Sequence, residues 1–190
     1  MIVQNLSTIF SPFSSVDFNY MKRVLEKAQE GFERGEIPIA AAIVYQNCII
    51  ALEHNWVEKR QIATAHAEML VIEKASAILG DWRLTECTLY SSLEPCIMCM
   101  GAIMQARVKR LVWGAKDIRL GGCGSFLHVA AQAHPMHQIK ISSGLFEKEA
   151  GDLLINFFQK RRRERDKREC EGDKREFGAS TGPVSQASTS

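Results

Sequence analysis

The run Ser92-Leu93-Glu94-Pro95-Cys96-Ile97-Met98-Cys99, taken with His66-Ala67-Glu68 upstream, constrains this chain more than any other feature. It offers two thiols three residues apart, and an imidazole followed two positions later by a carboxylate. One nitrogen and two sulfurs make three protein ligands, the number zinc takes when a fourth position stays open for water. A closed structural site needs a fourth Cys or His in a second paired motif, and none stands at suitable spacing. The set therefore reads as a catalytic zinc centre of His66, Cys96 and Cys99, with Glu68 beside it. Any fold of this chain has to bring the two segments to one point.

Local patterns indicate how. Pro95 ends an extended run over 88–93, because the residue before a proline is biased away from helix. From Cys96 the apolar residues take helical spacing, to an expected end near Ala106. Cys96 and Cys99 then share one face of a first turn. A helix N-terminus favours thiolate, since its free N–H groups and dipole stabilise negative charge. Thr64 is the expected cap of a second helix running through Met69, Leu70, Ile72 and Ile78 to Leu79. His66 and Glu68, at i and i+2, diverge in mid-helix, but at a helix tip both reach the same small volume.

The remaining elements follow from periodicity. Asp17 is the expected cap of a helix over 18–32, with Gly35 just past its end. An apolar run over 37–44, a turn at Gln46-Asn47 and a run over 48–52 predict a hairpin buried on both sides or nearly so. Asn55 lies just beyond it. Further strands are expected over 87–93, over 108–114 and around Ile139 and Ile141, with a short helix over 126–132. A glycine-rich loop carries Asp117, Arg119, Gly121, Gly122 and Gly124. A last helix spans 147–168, docked by Ala150, Leu153, Leu154, Phe157 and Phe158. A hairpin followed by strand–helix–strand alternation predicts an α/β fold, a three-layer α/β/α domain around a central mixed five-stranded sheet.

At 190 residues one domain is expected. Residues 1–16 read as a loosely ordered segment, 17–168 as the domain, and 169–190 as a disordered Gly/Ser/Thr-rich tail. The net charge of +2 hides an uneven distribution. Residues 159–168 hold seven Lys/Arg against Glu164 and Asp166. No signal or transit peptide is recognisable, and no apolar run is long enough to span a membrane. Scattered cysteines without a disulfide pattern point to a reducing cytoplasm.

His66-Ala67-Glu68 with Pro95-Cys96-Ile97-Met98-Cys99 resembles the zinc-dependent cytidine deaminase superfamily, and within it the tRNA-specific adenosine deaminases. The resemblance extends through Ile37-Pro38-Ile39-Ala40-Ala41, His54-Asn55, Thr64-Ala65, Thr88-Leu89-Tyr90, Met100-Gly101-Ala102 and Trp113-Gly114-Ala115-Lys116-Asp117. It covers roughly residues 18–163, with Ala40 where bacterial members usually carry glycine. It implies one Zn²⁺ per subunit, held by His66, Cys96 and Cys99, and Glu68 as the catalytic proton shuttle. The mechanism is the general one of zinc nucleobase deaminases rather than one these residues dictate alone: an activated water attacks C6 of adenine and inosine results. The resemblance further implies that Asn55 binds the nucleoside and Asp117 stands on the rim where RNA enters. The implied partner is a tRNA anticodon stem-loop with a wobble adenosine. A homodimer is implied, with the Met98-to-Met104 face as core or as its seam, and no DNA is expected as a partner. Read from the residues alone, Asn55 can equally close the hairpin, Asp117 can serve its turn, and Glu94 is structural. Two other functions share the signature: a guanine or cytosine deaminase acting on free bases or nucleotides, and a zinc-stabilised RNA-binding subunit in which Glu68 is dispensable.

Overall fold

The computed structural model describes residues 13–131 and 137–178. The chain divides into two units, Met1–Leu154 and Ile155–Ser190. The first holds a five-stranded sheet of order β2-β1-β3-β4-β5. Its strands are β1 (Ala40–Tyr45), β2 (Cys48–His54), β3 (Thr88–Leu93), β4 (Arg110–Ala115) and β5 (Lys140–Ser143). β1 runs antiparallel to β2 and to β3, whereas β3, β4 and β5 are parallel, so the sheet is mixed as expected. Gln46 and Asn47, at φ 47° and 62°, make the left-handed turn that suits a tight hairpin.

Strand alternation sorts the core into two layers. Ala41 and Ile43 face Val71, Ala75, Met100 and Ile103, from α3 (Ala67–Leu79) and α4 (Ile97–Gln105). Ala40, Ala42 and Val44 face Met21, Val24 and Ala28 of α1 (Ser15–Glu33), with Leu153 of the last helix packed against the same cluster. Helices thus cover both faces, the three-layer arrangement of the sequence reading. Burial of β2 is only partial, against expectation, because it is the edge strand.

α1 begins earlier than expected. Its N-cap is Ser14, and Asp17 occupies the third helical position. The Asp17 carboxylate reaches back to the Ser14 N–H and hydroxyl at 2.7 and 2.9 Å. It also accepts from Tyr90 Oη at 2.5 Å and from Arg110 at 2.7 and 3.1 Å, so the acid that starts the helix also ties it to β3 and β4.

A four-residue helix α2 (Val57–Arg60) was not foreseen; the buried Glu36 carboxylate accepts the N–H groups of Glu58 and Lys59 at its start. The expected helix over 126–132 is a single 3₁₀ turn, Val129–Ala131, because the N–H groups of Phe126 and Leu127 fold back to the Gly121 carbonyl; residue 132 lies outside the described residues. The last helix, α5, runs Glu147–Gly178, ten residues past its expected end at Arg168. Lys, Arg and Glu make up five of the ten added residues and sustain helix well, with no proline to end it. Residues 1–12 and 179–190, on which most of the two terminal expectations fall, lie outside the described residues.

In the second unit, Phe157 and Phe158 meet edge to face at 5.5 Å and Arg161 sits over the Phe157 ring. The basic side chains from Lys160 to Arg163 are exposed. No helix of the described residues is long and apolar enough to cross a membrane.

Candidate active site

Two helix starts carry the donor residues. His66 is the N-cap of α3, at φ −72° and ψ 149°, and Cys96 is the N-cap of α4, at φ −67° and ψ 171°. Thr64, the expected cap, is exposed in a turn closed by the His66 N–H on the Thr64 carbonyl at 2.8 Å. Asn55 takes over the capping. Its Oδ1 accepts the Ala67 N–H, the first of the helix, at 2.8 Å. The His66 imidazole, freed from capping, turns to the sulfurs.

His66 Nδ1 lies 3.7 Å from Cys96 Sγ and 3.5 Å from Cys99 Sγ. The three donor atoms all fall within 4.8 Å of one another. A tetrahedral zinc with bonds of about 2.3 Å to sulfur and 2.05 Å to nitrogen places S and N roughly 3.6 Å apart. The donor set therefore fits zinc in both chemistry and spacing. Glu68, in the first turn of α3 and buried, places Oε2 3.6 Å from Cys99 Sγ while its Oε1 accepts the Ser91 hydroxyl at 3.0 Å. The structure thus brings His66, Glu68, Cys96 and Cys99 together, with Asn55 one hydrogen bond away.

The electrostatics follow from this packing. A hydrogen bond from the Cys99 thiol, against the opposing effect of burial, and the neighbouring His66 bring the Cys96 thiol down to about 4. The same bond, with burial, pushes Cys99 up. One proton is thus shared by two sulfurs, the place a cation fills when both become thiolates. The Cys96 contact also raises His66, in spite of burial. Burial raises Glu68, which suits a carboxyl that both takes and returns a proton.

The family model of the MafB19-like deaminases matches residues 16–162. The tRNA-specific adenosine deaminase of Bacillus subtilis (strain 168) is 42% identical over 146 residues, covering 77% of this chain and 91% of that protein. The chain belongs to the tRNA-specific adenosine deaminase family. A solved structure from studies of A-to-I editing by tRNA:A34 deaminases at the wobble position of transfer RNA superposes with a TM-score of 0.69 at 38% identity, covering 72% of this chain and 99% of that one. The guanine deaminase from Nitrosomonas europaea aligns with a TM-score of 0.60 at 26% identity, covering 74% and 83%.

Within this family's site the chain shows one residue that its motifs do not single out. Ser91, fully buried on β3, pins Glu68 and leaves Oε2 toward the sulfurs. The available signal is a pair of adjacent serines, Ser91 and Ser92, both buried in β3, of which Ser92 accepts the Ala40 N–H. Asp117 is not part of the donor cluster. Its Oδ1 accepts the N–H groups of Arg119 and Leu120 at 3.0 and 3.3 Å, the turn role weighed for it from sequence.

Proposed function

We propose that this chain hydrolyses adenosine to inosine at the wobble position of a tRNA anticodon. The observation that carries this is Glu68, a buried carboxylate outside the donor set yet 3.6 Å from one of its sulfurs, in a member of this family. Zinc held by His66, Cys96 and Cys99, one per subunit, would supply a water made nucleophilic near neutral pH. Glu68 Oε2 takes one proton from the water and delivers it to the purine N1, then takes the second from the new C6 hydroxyl and gives it to the amine, which leaves as ammonia as the C6 carbonyl forms. Ser91 holds the other carboxylate oxygen, so Glu68 pivots little between these steps. Asn55 Oδ1 is committed to Ala67, which leaves its NH₂ group to meet the nucleoside. An anticodon loop presents unstacked bases, so less energy goes into extruding the adenosine than in a duplex.

The exposed basic side chains of residues 160–163 suit phosphates. Ile97, Ile118, Leu120, Phe126 and Leu127 are all exposed at the start of α4 and in the loop beside it, which supports a homodimer. The location proposed is the cytoplasm, where Cys96 and Cys99 stay reduced and able to ligate.

A guanine deaminase reading has the Nitrosomonas europaea similarity behind it. One experiment decides. The purified chain is incubated with a wobble-adenosine anticodon stem-loop, and separately with guanine, cytosine and deoxycytidylate; inosine is read by sequencing and ammonia is measured. Inosine from the stem-loop alone is expected, and it should vanish in Glu68→Ala while zinc is retained. Ammonia from guanine and none from RNA overturns the proposal.

A further inference from the structure

Glu94, two residues before Cys96, is 1% exposed, and the reaction described above gives it no part. Its carboxylate accepts three backbone N–H groups: Asp117 on Oε2 at 3.2 Å, and Cys123 and Ser125 on Oε1 at 2.8 and 3.1 Å. All three donors belong to one segment, 117–125. A buried carboxylate is costly unless hydrogen-bonded, and bonds from N–H groups to an ionised acceptor are the stronger kind.

The same segment closes on the site. Gly121 forms a bridge with Cys96, the Leu120 carbonyl accepts the Ile97 N–H at 3.2 Å, and the Gly122 N–H donates to the Pro95 carbonyl at 2.8 Å. Gly121 fits because it has no side chain: a Cβ there would stand 2.5 Å from Glu94 Cδ and 2.5 Å from the Asp117 carbonyl oxygen. One buried side chain therefore folds the loop from inside, while the loop backbone presses against the residue that carries one of the three donor atoms. The outer side of the loop presents Lys116, Ile118 and Leu120 to solvent.

We propose that Glu94 is a positioning residue for the substrate, its carboxylate clamping the 117–125 loop as the wall of the site beside Cys96 so that the anticodon loop meets a preformed edge. This rests on the deaminase reading above. An acceptor-only group is required, because an amide in its place turns an NH₂ toward backbone N–H groups and leaves at least one of them unpaired.

The test is Glu94→Gln in the full zinc-loaded chain. Amide hydrogen exchange should quicken about tenfold or more at one or more of Asp117, Cys123 and Ser125, in keeping with the loss of a buried partner. Exchange in α1 and the zinc content should stay unchanged. KM for the wobble-adenosine stem-loop should rise about tenfold with kcat within about threefold, the pattern of lost binding rather than lost chemistry. Gly121→Ala, which crowds the same carboxylate from the loop side, should give the same KM rise; it decides the matter if Glu94→Gln does not fold. Unchanged exchange at the three amides, loss of zinc, or a fall in kcat at constant KM overturns the proposal. If the wild-type chain makes no inosine, the deaminase reading fails, while the exchange measurement still judges the clamp.

Discussion

Replacing Asp17 by Asn should destabilise the fold by an amount that depends on pH in a defined way. Burial alone would raise the Asp17 carboxyl, but Arg110, Tyr90 and Ser14 outweigh it and hold the group at about 2, against 3.8 when unperturbed. The gap of just under two units corresponds to about 2.4 kcal/mol of stability linked to ionisation. Because the folded-state value is the lower one, the unfolded chain binds the extra proton. The contribution is full above about pH 5 and drains away as pH falls toward 2, roughly 1 kcal/mol being gone at pH 3. The substitution also removes the Asp17 charge from its ion pair with Arg110. Breaking a buried pair costs about 3–5 kcal/mol, and the Arg110 side chain is 24% exposed and can rehydrate, which favours the lower end. Urea unfolding of both proteins at pH 7 and pH 3 measures this: the difference should be about 3 kcal/mol at pH 7 and smaller by roughly 1 kcal/mol at pH 3. A difference under about 1 kcal/mol at pH 7, or one that does not change with pH, refutes the reasoning that this carboxylate ties α1 to the sheet through its charge.

Two other perturbations separate roles that the site combines. Asn55→Ala removes the acceptor of a buried helix N–H and should cost about 1–3 kcal/mol of stability as well as activity; Asn55→Asp keeps the acceptor, so it should restore the melting temperature without restoring KM for the stem-loop. Replacing Lys160, Arg161, Arg162 and Arg163 by Ser should raise KM for tRNA more than it lowers kcat. It should also flatten the dependence of log affinity on log salt by up to about 3, on the scale of 0.7 per phosphate for single strands; unchanged KM at physiological salt removes this segment from RNA binding.

How much of this was legible in the sequence differs between the donor atoms and their supports. His66, Cys96 and Cys99 were legible because each opens or follows a helix start, where the local pattern fixes which way a side chain can go. The mixed sheet was legible because strand length and helix length alternate after the hairpin. The caps were not. Thr64 is a better intrinsic cap than His66, yet the cap of α3 is supplied by Asn55 from 12 positions upstream. Asp17 looked like a helix cap and is instead the meeting point of α1, β3 and β4. Ser91 is not singled out by any local pattern, and Glu94 reads only as structural, for the same reason. Their hydrogen bonds join residues 23 or more positions apart, which no local window contains.

The proposed reaction depends on zinc held by the three donor atoms. The measurement is zinc per chain by elemental analysis, made on the same samples assayed for inosine in a wobble-adenosine stem-loop. The wild type should carry one zinc and make inosine, whereas Cys96→Ser and Cys99→Ser should lose both. A metal-free preparation that still forms inosine, or a cysteine variant that keeps full zinc and full turnover, would contradict it.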